Sequence, residues 1–304
     1  MYLEFSRPVD CLCDFTYDFY WQHMGSRLVP SSVIPHQIDT SYTYSDLVEC
    51  LKRGEDVHIK GNAGRRLGSS LGVDLKFFGG RGEPQEVGSI IIDGDIDTRM
   101  GISMVSGAIY VKGTVRWPAG NIIEVESDLA GYHKYRSITG ILREGFKEAP
   151  VPPNIMTGGC LLLKDGLIRD TVAARLDSDI GVTVEGDAGM STGILMRRGT
   201  VHVHGDAGMN SGVLLRGGML VVGDTEEFAG AYMRGGTLII AGKAKGYAGA
   251  NMRGGAILYK GNAIAKPVSL DGSDIRMLVK LLGISQSEAM MFKKYSSSKD
   301  LTSV

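Results

Sequence analysis

The sequence predicts an all-β protein, a right-handed parallel β-helix wound in coils of about 19 residues, and three observations carry that expectation. Glycine supplies 43 of 304 residues, about twice the roughly 7% usual in soluble proteins. The glycines return in phase along the chain. The residues ahead of them alternate between β-branched and polar, the period of a half-buried strand. Nine prolines do not fit collagen, so the glycines mark recurring backbone turns.

The phase is clearest from Gly186 onward. One column holds Gly186, Gly205, Gly223, Gly242 and Gly261, at spacings of 19, 18, 19 and 19. A second, seven residues on, holds Gly193, Gly212, Gly230 and Gly249, and a third holds Gly199, Gly218, Gly236 and Gly255. The register returns earlier at Gly61 and Gly68, at Gly94, Gly101 and Gly107, and at Gly113 and Gly120. Four places ahead of the first column stand Val57, Ile90, Ile109, Val182, Val201 and Ile257; two places ahead stand Ile59, Ile92, Val111, Val184, Val203 and Tyr259. Lys60, Asp93, Lys112, Glu185, His204 and Lys260 fall on the other face. Leu220 and Val222 take the inward places of the coil ending at Gly223. Leu71, Met104, Met196, Leu215, Met233 and Met252 form a further inward column. A unit this short cannot hold a βαβ element of about 30 residues. It suits one β-helix coil, closed by stacking on its neighbours, with glycine where the corner needs positive φ or close backbone approach.

In chain order, residues 1–54 read as a capping segment outside the repeat, rich in aromatics at Phe15, Tyr17, Phe19, Tyr20 and Trp21, with a short helix over 45–54 that has Ser45 as N-cap. The β-helix spans 55–266. Two insertions interrupt it, near 72–88 with Phe77 and Phe78, and at 121–157 with Tyr132, His133, Lys134, Tyr135 and Arg136. Insertions in solenoids emerge on one face and often bind partners, which makes Tyr132 and Tyr135 candidate interface residues. Strand character resumes at Cys160–Leu163, and 167–181 reads as a degenerate coil. Residues 267–304 form a helical tail. Ile275, Leu278, Val279 and Leu282 make an amphipathic stripe that Gly283 ends, and a second helix begins in the capping box Ser285–Glu288 and runs to about Tyr295. These helices are expected to cover the open end of the last coil.

Charge and motifs narrow the function. A net charge of −1 implies no general grip on nucleic acid. No run approaches the roughly 18 apolar residues of a membrane span, the start resembles no signal peptide, and four scattered cysteines give no disulfide framework. A cytoplasmic protein is the expectation. There is no Walker A sequence, no HExxH and no strand–GxGxxG–helix unit. Cys11 and Cys13 have no second pair to complete a metal site. His202 and His204 share a strand face in columns that other coils fill with Lys, Glu, Tyr or Thr, and read as surface or interface histidines. Asp187 and Asp206 recur at corners, which is turn chemistry. No catalytic, cofactor or metal residue is expected in this chain. One column is less plain: Arg197, Arg216, Arg234 and Arg253 stack coil on coil. Either Asp187, Asp206, Asp224 and Glu226 pair with them, or they face an anionic partner.

The repeat Gly186-Asp187-Ala188-Gly189, Gly193, Met196-Arg197, continued through Gly261, resembles the GXGXG β-helix family over about residues 55–265. That family supplies the β-helical subunit of formylmethanofuran dehydrogenase and the C-terminal part of the glutamate synthase large subunit. The tail, with Leu282-Gly283-Ile284 between helices and Phe292-Lys293-Lys294-Tyr295 after them, is similar to the former. The resemblance implies a non-catalytic scaffold subunit in a cytoplasmic, archaeal complex of methanogenesis that reduces CO2 and forms formylmethanofuran. Its partners would be a tungsten- or molybdenum-pterin subunit, a zinc-bearing amidohydrolase subunit and iron–sulfur electron-transfer subunits. The alternative is a stand-alone GXGXG subunit of an archaeal-type glutamate synthase. A self-contained polysaccharide-acting β-helix would need carboxylates grouped along one face, and the outer columns show none.

Overall fold

A computed structural model describes residues 1–16, 29–75 and 82–297. Tyr17, Phe19, Tyr20, Trp21, Phe77 and Phe78 lie outside the described residues. The chain is mostly β and coils as a solenoid of about nine turns at a spacing of roughly 19 residues. It divides into two compact units, Met1–Pro152 with Leu167–Asp170, and Pro153–Gly166 with Thr171–Val304.

The first unit holds β1 (Tyr2–Glu4), α1 (Tyr44–Lys52), β2 (Val57–Lys60), β3 (Ile90–Ile92), β4 (Ala108–Val111), β5 (Ile122–Val125), β6 (His133–Ser137) and α2 (Ile138–Glu144). Its described strands order as β1-β2-β3-β4-β6-β5. The first four are parallel, with Val57, Ile90 and Ile109 in one register and Ile59, Ile92 and Val111 in another. All six side chains are buried, as period-two alternation requires. β6 then turns back antiparallel to β4, and β5 pairs with β6. α1 starts slightly earlier than expected. Thr43, not Ser45, is the N-cap, because its hydroxyl accepts from the Asp46 N–H while the Asp46 carboxylate accepts from the Thr43 N–H. The helix buries Leu47, Val48 and Leu51 in one core with Leu3 and Val57.

The N-terminal residues also depart from expectation: residues 2–15 follow the repeat instead of standing outside it. β1 pairs in parallel with β2, Leu3 opposite Ile59. The Gly68 N–H donates to the Leu12 carbonyl at 2.9 Å, as the Gly101 N–H donates to Leu67 at 2.8 Å. Cys13 (φ +57°) thus stands where the next coils place Gly68 and Gly101.

The second unit holds β7 (Ile155–Thr157), β8 (Cys160–Leu163), β9 (Gly181–Val184), β10 (Thr200–Val203), β11 (Arg216–Val222), β12 (Thr225–Glu227), β13 (Arg234–Ile240), β14 (Ala244–Gly246), β15 (Gly254–Tyr259), β16 (Lys266–Val268), α3 (Gly272–Leu282), α4 (Gln286–Ala289) and β17 (Lys293–Ser296). From β8 to β15 the main sheet is a parallel ladder in chain order, and β12 and β14 pair on another face of the same coils. Met196, Leu215 and Met233 are wholly buried inside; Met252, in the coil that no full coil follows, is half-buried. The outward side of the ladder is apolar where solvated residues were expected: Val221, Ile239 and Leu258 are buried beneath Leu278, Ala289 and Phe292. The two helices therefore cover a flank of the sheet. α4 ends at Ala289, short of Tyr295, because the residues after it form β17, which pairs antiparallel with β15 and satisfies its outer hydrogen-bonding edge.

The corners are built from alternating left-handed residues. Ser191, Gly193 and Leu195 have φ of +57°, +71° and +57°, and Asn210, Gly212 and Leu214 repeat this one coil on. Ser191 and Asn210 donate forward, to Met209 and Glu227, while Gly193 and Gly212 donate back, to Val172 and Thr192. Each corner is thereby bonded to both neighbouring coils.

Candidate functional site

Three polar surfaces of the second unit and one of the first hold the sequence-predicted residues. The aspartates come first. The Asp187 carboxylate accepts from the Asp206 N–H at 2.8 Å, Asp206 from the Asp224 N–H at 2.8 Å, and Asp224 from the Lys243 N–H at 2.7 Å. The ladder works because each coil places the same N–H above the carboxylate of the coil below. These groups line an open groove of about 540 Å³ with Glu226, Lys243 and Lys245, and Glu226 pairs with Lys245 at 2.7 Å. The expected pairing of these acids with the arginine column does not occur among the described residues; they hold corners, as turn chemistry predicts.

The first column of repeat glycines stands at the aspartate corners, and the second at the corners of Ser191–Leu195 and its repeats. Gly186 has φ +114° with open space beside it, whereas Gly205, Gly223 and Gly242 face the backbone or the corner aspartate of the preceding coil. Gly193, Gly212, Gly230 and Gly249 are left-handed and point at the core leucines and isoleucines, and Gly261 faces the Tyr259 ring.

His202 and His204 lie edge to face with ring centroids 4.6 Å apart. They border a groove of about 340 Å³ with Lys260, Leu281, Leu282, Ile284 and Phe292. Burial, then the neighbouring His204, lowers the pKa of His202. No group of three or more His, Cys, Asp or Glu is placed to hold a metal among the described residues. Cys11 and Cys13 are buried, and burial pushes the Cys11 thiol up to about 12 and the Cys13 thiol up as well. Neither sulfur is a ready thiolate.

Charged residues of the insertion in the first unit pair with one another, although the Nε of Arg136 is buried without a hydrogen-bond partner. Lys134 is buried over the Tyr110 ring, with its Nζ 2.6 Å from Glu148 and 3.0 Å from Asp128. Burial alone would lower its pKa, but the bonds to Glu148 and Asp128 outweigh this and raise it. Arg136 shares Glu148 with Lys134 and also pairs with Glu144. Tyr135 is 7% exposed and belongs to the core, so it is no partner anchor. Tyr132 is half-buried, packs on Ile91 and Ala108, and donates to Asp93. Sequence reasoning missed this network, since its five charged members are scattered over 128–148.

Arg216, Arg234 and Arg253 are exposed and Arg197 is half-buried. Arg175 joins them: its strongest charged neighbours are Arg216 and Arg197. Its position in the degenerate coil 167–181 hid it, although it falls at the corner that Leu195 and Leu214 fill in later coils.

No protein-family model matches the sequence. An uncharacterized protein of Methanothermobacter thermautotrophicus is 53% identical over 201 residues, covering 66% of this chain. The matched part spans 64% of that relative's length. The crystal structure of the formyltransferase/hydrolase complex from Methylorubrum extorquens, bound to methylofuran, aligns over 96% of this chain and 91% of its own, at a TM-score of 0.29 and 18% identity. The fold described above rests on the ladders and corners, not on that alignment.

Proposed function

We propose that this chain is a non-catalytic scaffold subunit of a formylmethanofuran dehydrogenase complex, an oxidoreductase assembly that reduces CO2 and forms formylmethanofuran. The observation that carries the reading is the Gly-Asp-Ala-Gly…Met-Arg-Gly-Gly repeat at the corners of stacked coils, the feature in which the chain resembles the GXGXG family. A stack of coils bonded at every corner resists bending and holds surfaces at fixed separations, which suits a scaffold. The described residues do not fit a resident metal or cluster. Tungsten- or molybdenum-pterin, iron–sulfur clusters and zinc would then sit on partner chains: a pterin-bearing subunit, an amidohydrolase subunit and electron-transfer subunits.

The test is purification of the chain from its native cells under mild conditions, with mass spectrometry of the co-purifying proteins and elemental analysis. Pterin-bearing and amidohydrolase partners, with zinc and either tungsten or molybdenum, are expected. Flavin and glutaminase partners would instead place the chain in a glutamate synthase and overturn the proposal.

A further inference from the structure

The arginine column is stacked by the backbone itself. The N–H groups of Arg197, Arg216, Arg234 and Arg253 donate to the carbonyls of Leu176, Met196, Leu215 and Met233, one coil back, at 2.7 to 2.9 Å. Neighbouring members are therefore separated by about 4.8 Å, the ladder spacing. The residue after each of the last three is Gly217, Gly235 or Gly254, where a Cβ would collide with the carbonyl oxygen of the preceding arginine. The coils are thus as close as a ladder permits.

Charge compensation elsewhere on this unit makes the column unusual. Arg198 pairs with Asp177 at 3.2 Å, Lys245 with Glu226 at 2.7 Å, and Lys294 with Asp274 at 2.9 Å. Arg216, Arg234 and Arg253 make no ion pair or side-chain hydrogen bond among the described residues. Beside the row, two residues ahead of Asp177, which holds the column's place in the coil before Arg197, the Nε of Arg175 is buried without a hydrogen-bond partner. Burial and the cations of Arg216 and Arg197 pull its pKa down to about 10. Every charge it meets has its own sign, and an approaching anion relieves that repulsion.

We infer that the arginine column of the second unit is a docking surface for an acidic helix of a partner protein. The spacing selects the occupant. Carboxylates three and four residues apart on a helix are separated by about 4.5 and 6 Å along the axis, which brackets the step of about 4.8 Å between arginines. Same-face side chains of an extended strand lie about 6.6 Å apart and drift out of register within two steps. Guanidinium forks also suit carboxylates, which they bind through two parallel hydrogen bonds. The inference rests on the chain being a subunit of a complex.

The test uses the full chain and a fluorescein-labelled, alanine-rich helical peptide carrying glutamates at alternating three- and four-residue steps. Binding is expected to weaken about tenfold in Arg216→Glu/Arg234→Glu and to fall as salt is raised. Both positions are exposed, and an unchanged circular dichroism melt confirms that the variant folds. Equal affinity for the variant, equal binding of a lysine version of the peptide, or tighter binding of a single-stranded oligonucleotide overturns the inference. The two proposals fail separately. If the variant retains the native partners as well as the unaltered chain does, the docking surface is wrong and the scaffold stands. If the peptide binds as expected but no such partners co-purify, the scaffold reading alone is wrong.

Discussion

A Cβ added to Gly205 would stand 2.7 Å from the carbonyl carbon and oxygen of Gly186, and backbone atoms cannot swing aside as a side-chain tip can. Gly205→Ala is therefore expected to destabilise by about 3 kcal/mol in urea unfolding, the range of overpacked sites. Gly246→Ala, where no atom lies within 4 Å and φ is not positive, should change stability by less than about 0.5 kcal/mol. Equal effects at the two sites would remove close approach as the reason for the first glycine column. The glycines were legible in the sequence because they recur. The flanking left-handed positions were not, because they hold Ser191, Leu195, Asn210, Leu214, Phe228 and Tyr232, residues with no common chemistry. There the backbone bonds between coils impose the conformation, and no side-chain signal announces it. His202 gives a second residue-scale prediction. Burial and His204 lower its pKa below the ordinary 6.5, so the folded chain binds fewer protons here than the unfolded one. Stability present above pH 6.5 is lost as the pH falls from that value through the lower pKa of the folded chain. His202→Gln should flatten this acid loss when urea midpoints are compared between about pH 8 and pH 5; identical profiles would show that the histidine does not titrate against folding.

At the scale of elements, what the sequence conveyed was periodicity, and what it withheld was which face each period addresses. The stripe Ile275, Leu278, Val279 and Leu282 announced α3 and its end at Gly283, whose φ of +64° closes the helix. That stripe looks equally suited to an open coil end or a sheet flank. The deciding clue lay in β11, β13 and β15, where Val221, Ile239 and Leu258 occupy outward places and need a cover. The first element escaped notice for the opposite reason: residues 2–15 follow the coil without glycine, with Cys11 and Cys13 in the left-handed places. The arginine column could be read in advance, but not that Arg216, Arg234 and Arg253 make no ion pair among the described residues, because the aspartates accept backbone N–H groups one coil away. Leu278 is wholly buried between α3 and the sheet flank. Leu278→Ala should cost about 3 kcal/mol, within the usual range for a buried leucine, and should raise hydrogen exchange at Val221, Ile239 and Leu258. A cost below about 1 kcal/mol would mean that the helix rests on the sheet without packing into it.

For the molecule as a whole, a solenoid buries each coil against its neighbours, so its stability is approximately a sum over coil interfaces and its weakest feature is an unpaired last edge. In the second unit that edge is β15. The described chain closes it from its own C-terminal segment: Ala256, Ile257, Leu258 and Tyr259 face Ser296, Tyr295, Lys294 and Lys293 in antiparallel register, and β16 adds a further strand beside β17. β16, antiparallel to β17, runs in the same sense as β15, so β17 pairs the edge of β15 and is itself paired on its far side. Two adjacent side chains in its middle hold the segment. The Lys294 Nζ lies 2.9 Å from the Asp274 carboxylate at the start of α3, and the Tyr295 hydroxyl donates to the Gly261 carbonyl at 2.6 Å. Removing residues 285–304 takes away β17, α4 and Phe292 together, leaving the row of N–H and C=O groups on β15 open and Leu258 partly uncovered. The truncated chain should then associate edge to edge, with light scattering rising with concentration across the micromolar range, and should melt below the full chain. Restoring residues 285–297 as a separate peptide should reverse the association, because it supplies the missing strand in the same register. If the truncated chain stays monodisperse and the peptide has no effect, pairing of β15 does not govern how the solenoid ends.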